Sequence, residues 1–178
     1  MRLLFLALIV VCPMLTASEV TWHDFVRSLH EKETIDIGHI SMTIEEQKDS
    51  RSYFPSDDLV ITVRQPGRDS SQLQFTASYG DASVAIYGNM LLLKYGVGRG
   101  TAGGQVKHIK VLRLDDTLDE LVDVQSSYWI VTNPHNVSPD EFDYQLKVQI
   151  EGDYTTFIFS LPKPRYGLPA EKIVRIRK

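Results

Sequence analysis

From Thr34 onward, apolar residues recur at every second position, the signature of strands with one buried and one wet face. Ile35 and Ile37 share one phase while Ile40, Met42 and Ile44 share the other, with Gly38 at the slip. The pattern predicts a single strand, Ile35 to Ile44, with a β-bulge at Gly38 turning both sets toward one core. Leu59, Ile61 and Val63 mark a second strand, ended by Pro66-Gly67. A Tyr-Gly pair then recurs every eight residues, at Tyr79-Gly80, Tyr87-Gly88 and Tyr95-Gly96. Gly80-Asp81 and Gly88-Asn89 each suit a two-residue hairpin turn with positive φ at the glycine. With Leu73, Phe75, Ala77 and Tyr79 on one face, the run through Val97 reads as a three-stranded meander. Val106 to Leu114 and Val124 to Thr132 read as strands. Tyr144, Leu146, Val148 and Ile150 alternate up to a turn at Gly152-Asp153, and Tyr154 to Leu161 runs back. Lys172 to Lys178 is a closing strand whose wet face carries Arg175 and Arg177, a charge pattern that discourages edge pairing.

Two segments follow helical spacing instead. Thr21 with Asp24 forms a capping pair ahead of Trp22, Phe25, Val26 and Leu29, which predicts an amphipathic N-terminal helix lying on a sheet. Thr117 with Glu120 forms a second capping box, and Leu118, Leu121 and Val122 give a short helix near 118–123. The chain is therefore expected to be mainly β. About ten antiparallel strands would form a barrel, a half-barrel wrapped on the N-terminal helix, or a sandwich, in one domain over 19–178.

The first residues break this pattern in a different way. Arg2 precedes an uninterrupted apolar run from Leu3 to Val11, Pro13 ends it, and Thr16-Ala17-Ser18 supplies small residues. Residues 1–18 read as a cleavable signal peptide, with export to a periplasm or the extracellular space. A spanning helix would need about 20 apolar residues, and no later segment is long and apolar enough for one. The one cysteine, Cys12, lies inside the signal, so the processed chain has no disulfide, thiolate nucleophile or cysteine ligand. A bulky Val11 before Cys12 argues against lipid attachment there. Removing Arg2 leaves 18 basic against 23 acidic side chains, a formal charge of −5, which argues against general nucleic-acid binding.

Candidate chemistry is sparse. Gly98-Arg99-Gly100-Thr101-Ala102-Gly103 has dinucleotide-binding spacing, but the residues after it are strand-like, so no helix N-terminus meets a phosphate. It reads as a glycine-rich hairpin loop. His23 and His30 are separated by about 10 Å if helical, too far for one zinc, and His39 and His108 lack partners at strand spacing. Asp115, Asp116, Asp119, Glu120 and Asp123 lack the alternation and central glycine of a calcium loop and suit the start of a short helix. No serine lies in a nucleophile elbow. Asn136-Val137-Ser138 is a glycosylation sequon, relevant in a eukaryotic source.

No catalytic residue, metal site or cofactor is assigned from these patterns. The leading expectation is an exported, non-catalytic protein that binds another protein through loops on a β scaffold. Its contact residues are Arg99, Gly100 and Thr101 in one loop and Asn133, His135 and Asn136 in another. Two alternatives belong to other classes: a carrier of a lipid or other apolar molecule in a β-barrel or half-barrel cavity, and a hydrolase whose site assembles only in space.

Overall fold

The computed structural model describes residues 17–25, 33–46, 56–78, 82–98, 105–115, 117–128, 144–162 and 169–177. Thirteen strands fall in these ranges: β1 (Ser18–Glu19), β2 (His23–Phe25), β3 (Glu33–Ile37), β4 (Ile40–Glu46), β5 (Ser56–Arg64), β6 (Ser71–Ser78), β7 (Ala82–Tyr87), β8 (Met90–Gly98), β9 (Gln105–Arg113), β10 (Glu120–Tyr128), β11 (Gln145–Glu151), β12 (Tyr154–Ser160) and β13 (Glu171–Arg177). All pairings are antiparallel, and they build three sheets. The first is β3-β4-β5-β6, the second β10-β9-β8-β7-β2, and the third β1-β11-β12-β13.

These sheets stack as layers, with the β7–β10 sheet in the middle. Alternate side chains along β8 show why. Leu91, Leu93 and Tyr95 join Met42, Ile61, Val63 and Phe75 in a core against the β3–β6 sheet. Met90 and Leu92 join Val148, Phe157 and Phe159 in a second core against the β11–β13 sheet. A strand buried on both faces has no reason to alternate, which is why Met90-Leu91-Leu92-Leu93 is a continuous apolar run. The sheets stay open, so the sandwich expectation is the one the fold follows and the closed barrel is not formed.

The central layer also accounts for the N-terminal segment. His23–Phe25 is a strand paired with β7, and the described part of the expected N-terminal helix is extended. Trp22 packs on the second core while Phe25 is buried in the first. Three residues of separation put side chains on one face of a helix but on opposite faces of a strand, and here each face has its own core. Val26 and Leu29 lie outside the described residues.

The short helix near 118–123 is likewise replaced by a corner and a strand. Asp115 Oδ1 accepts the Thr117 N–H at 3.2 Å, and the Thr117 hydroxyl bridges Asp115 Oδ1 (3.0 Å) and Asp119 Oδ1 (2.8 Å). Leu118 then takes φ +53, which a right-handed helix cannot contain. It is buried in the first core, whereas Leu121 and Val122 pack on the second. A register shift between Glu120 and Val122 adds the phase change that mimics helical spacing.

Turn chemistry explains the remaining differences. Gly38 has φ +61 and opens a two-residue turn, with Ile37 opposite Ile40 and Ile35 opposite Met42. The phase slip is thus a hairpin, β3–β4, and not a bulge. Residues flanking a two-residue turn face each other directly, so both sets still reach one core. Gly88 (φ +61) and Gly152 (φ +55) make the expected turns of β7–β8 and β11–β12. Pro66-Gly67 closes β5–β6 with Gly67 at φ +73 and Arg68 N–H donating to Gln65 O at 3.2 Å, the geometry of a type II turn. The expected three-stranded meander is divided: β6 pairs with β5 in the first sheet, and β7 and β8 pair in the central one. Gly80-Asp81 lies outside the described residues.

Candidate functional site

Register locates the roots of both loops singled out by composition. Gly98 of β8 pairs with Gln105 of β9, and Gln105 pairs with Tyr128 of β10. Segments 99–104 and 129–143 therefore leave from three adjacent strands at one end of the central sheet. Arg99, Gly100, Thr101, Asn133, His135 and Asn136 themselves lie outside the described residues.

Below this end, on the face turned toward the β3–β6 sheet, a polar cluster crosses β8, β9 and β10. His108 Nδ1 lies 3.1 Å from both oxygens of Asp123. Lys110 Nζ donates to Glu120 and stands 3.8 Å from Asp123 Oδ2, and Gln125 Nε2 donates to Asp123 Oδ2 at 3.1 Å. The Tyr95 ring stacks on His108 with centroids 4.9 Å apart and planes 5° from parallel, and its other neighbour, Phe75, is 5.0 Å away. Burial pushes the Tyr95 phenol above its ordinary value, aided by Asp123 and Glu120 and opposed by Lys110. Burial would lower Lys110, yet the hydrogen bond to Glu120 and the negative neighbours hold it above its ordinary value. The cluster ties β10, the edge strand, to β9 through paired charges.

The opposite face at the same end carries aromatic rings and lysines. Lys94 Nζ sits 5.0 Å from the Trp22 ring centroid, and Lys172 Nζ sits 5.3 Å from that of Tyr144. Lys172 also donates to Gln125 O at 3.2 Å, and Tyr144 donates its hydroxyl to Pro169 O at 3.1 Å. Burial raises the Tyr144 phenol above its ordinary value. Beside Trp22 runs an open groove of about 240 Å³ lined by Glu19, Val20, Trp22, Gln145, Leu146 and Lys147, where the chain departs from β11 toward the central sheet.

By spacing alone His108 is unpartnered and Asp123 belongs to a helix start; the fold brings them together. Their meeting follows from the β9–β10 register, in which Asp123 faces Lys110 and Gln125 faces His108. Reading 120–128 as a strand would have exposed it. His23 lies on β2 and His39 in the β3–β4 turn, while His30 and His135 lie outside the described residues. Among the described residues, no group of three or more His, Cys, Asp or Glu could hold a metal ion, and no helix is long and apolar enough to cross a membrane. Neither a family model, nor a curated protein, nor a solved structure matches the chain.

Proposed function

We propose that this chain is an exported, non-catalytic binding protein that grips another protein with the two loops at one end of its central sheet. The observation that carries this reading is the Gly98–Gln105–Tyr128 register, which roots both loops on adjacent strands. Those strands belong to a sheet packed on both faces, a rigid support for recognition loops. The apolar-carrier alternative rests on interior space, whereas the inward positions Leu92, Leu93, Val148, Phe157 and Phe159 are fully buried in packed layers.

The test uses the processed protein as bait in material from its own compartment. A stoichiometric protein partner is expected, with capture reduced more than roughly tenfold by Arg99→Ala with Thr101→Ala, or by Asn133→Ala with His135→Ala. Ile173→Ser, on the outer face of β13, should leave capture unchanged. Absence of a stoichiometric partner, or capture by both loop variants equal to the parent's, would overturn the reading.

A further inference from the structure

We infer that the end of the layer between the central sheet and the β11–β13 sheet is a docking site for an acidic polypeptide segment. This rests on the protein-binding reading above and names the chemistry of its partner. Lys94 pairs across the sheet with Ile109, and Ile109 with Val124, so its side chain enters the second core's face at its upper end. Lys107, opposite Gly96, lies on that face one pair nearer Gly98. From the other sheet comes Lys172, opposite the buried Phe159. On the inward side of β11, β12 and β13, register surrounds Lys172 with apolar residues and Thr155, without one acid. Among the described residues, the acid on this face of the central sheet is Asp24, opposite Ser83, from whose hydroxyl it accepts a hydrogen bond at 2.7 Å.

Lys94 and Lys172 are half-buried, and among the described residues neither meets a carboxylate. Each instead rests over an aromatic ring. A ring stabilises a cation only modestly at an exposed site, and partial burial removes some of the water that would otherwise solvate it. Two half-buried ammonium groups, spaced by about two strand separations or roughly 10 Å, thus present positive charge that no described carboxylate meets, in a chain of formal charge −4. The Trp22 groove continues the belt, its apolar part formed by Val20, Trp22 and Leu146 and its polar part by Gln145 and by Lys147 and Glu19, which offset each other. An extended segment with acids spaced along it, and an apolar side chain for the groove, matches this arrangement. A basic patch on a chain of net negative charge steers such a partner toward the loop end.

The experiment measures anisotropy of a fluorescein-labelled oligo-glutamate peptide with the processed protein at about 20 mM salt, where screening is weak. Saturable binding is expected, weakened at least roughly fivefold by Lys94→Gln with Lys172→Gln and by raising salt to about 0.3 M. A circular-dichroism melt establishes that the double variant is folded, and Arg177→Gln, exposed on the outer face of β13 at the end away from Lys172, should bind like the parent. No binding by the folded parent, or binding indifferent to the double variant, overturns the inference. So does binding that emerges only after Asp140, Glu141 and Asp143 of this chain are neutralised, because its own segment would then be the occupant. Tighter, Lys94-dependent binding to phosphatidylglycerol vesicles would assign the site to a lipid surface and also overturn it. Capture of a partner that depends on the loops but survives Lys94→Gln with Lys172→Gln defeats this inference alone; failure to capture any protein defeats the reading it rests on.

Discussion

Lys110 is a cation that burial opposes and two carboxylates retain. Its proton is held more tightly in the folded chain than in the unfolded one, and the same is true of the Tyr95 and Tyr144 phenols, which burial keeps neutral. For all three, the folded state binds more protons between the ordinary value and the raised one, so stability falls as pH rises through that interval. The window opens near pH 10, the ordinary value of the tyrosines being 10.0 and that of the lysine 10.5. Urea midpoints should hold steady from neutral pH to about 9 and then decline, and Tyr95→Phe should make the decline shallower. At the acid end the sign reverses: the Asp115 carboxyl, which burial would raise, is held below its ordinary 3.8 by the Thr117 hydrogen bonds. Its contribution is present above that value and fades as pH falls through the lowered one. Thr117→Val should remove part of this acid dependence. Asp123→Ala is expected to cost about 1–3 kcal/mol in the same measurement, since it strips His108 Nδ1 of its acceptor and Lys110 of a carboxylate.

Elements are where the sequence is most and least legible. Hairpins with glycine turns are readable because their signal is local: Gly88 and Gly152 adopt positive φ between strands that alternate on either side. No atom lies within 4 Å of a Cβ built at Gly152, so Gly152→Ala should cost only the backbone strain, about 1–2 kcal/mol, by urea unfolding. Gly38 carries the same signal, yet a phase slip in one apolar run has two geometric solutions, bulge and hairpin, and only pairing partners separate them. Strands β2 and β10 mimic helices because the central sheet buries both faces, so that Trp22 and Phe25, or Leu118 and Leu121, answer to different cores. The layer assignment of β6 against β7 is not readable at all, since nothing local distinguishes a hairpin from a step between sheets. The candidate site shares this division. Its loops are visible in composition, whereas His108 with Asp123, Lys94 on Trp22 and Lys172 on Tyr144 depend on register between strands.

At the scale of the molecule, the chain builds its layers in order, β3–β6, then β7–β10, then β11–β13, and threads its first residues back to the edges of the last two. Glu19 pairs with Lys147 of β11 and His23–Phe25 pairs with β7, so the segment from Glu19 to Phe25 links the outer sheet to the central one; the Ser18 pairing with Val148 and its 2.7 Å contact with the Tyr87 hydroxyl add to this link only in a chain that keeps Ser18. Because β8 supplies adjacent residues to both cores, neither outer sheet can lose its packing without exposing one face of the same strands. The three layers are therefore expected to unfold as one cooperative unit, without a disulfide to help. Leu92→Ala opens the second core and Leu93→Ala the first, and each should cost about 2–5 kcal/mol. The decisive comparison is the Leu93 variant followed by indole fluorescence in a Trp129→Phe background, because Trp22 packs on the core that Leu93 does not touch. Its midpoint should shift together with the far-ultraviolet circular-dichroism midpoint. If the fluorescence transition stayed at the parental denaturant concentration while circular dichroism lost part of its signal earlier, the β3–β6 layer would be unfolding alone. The central sheet would then be an adhesive face between two independent units instead of their shared core.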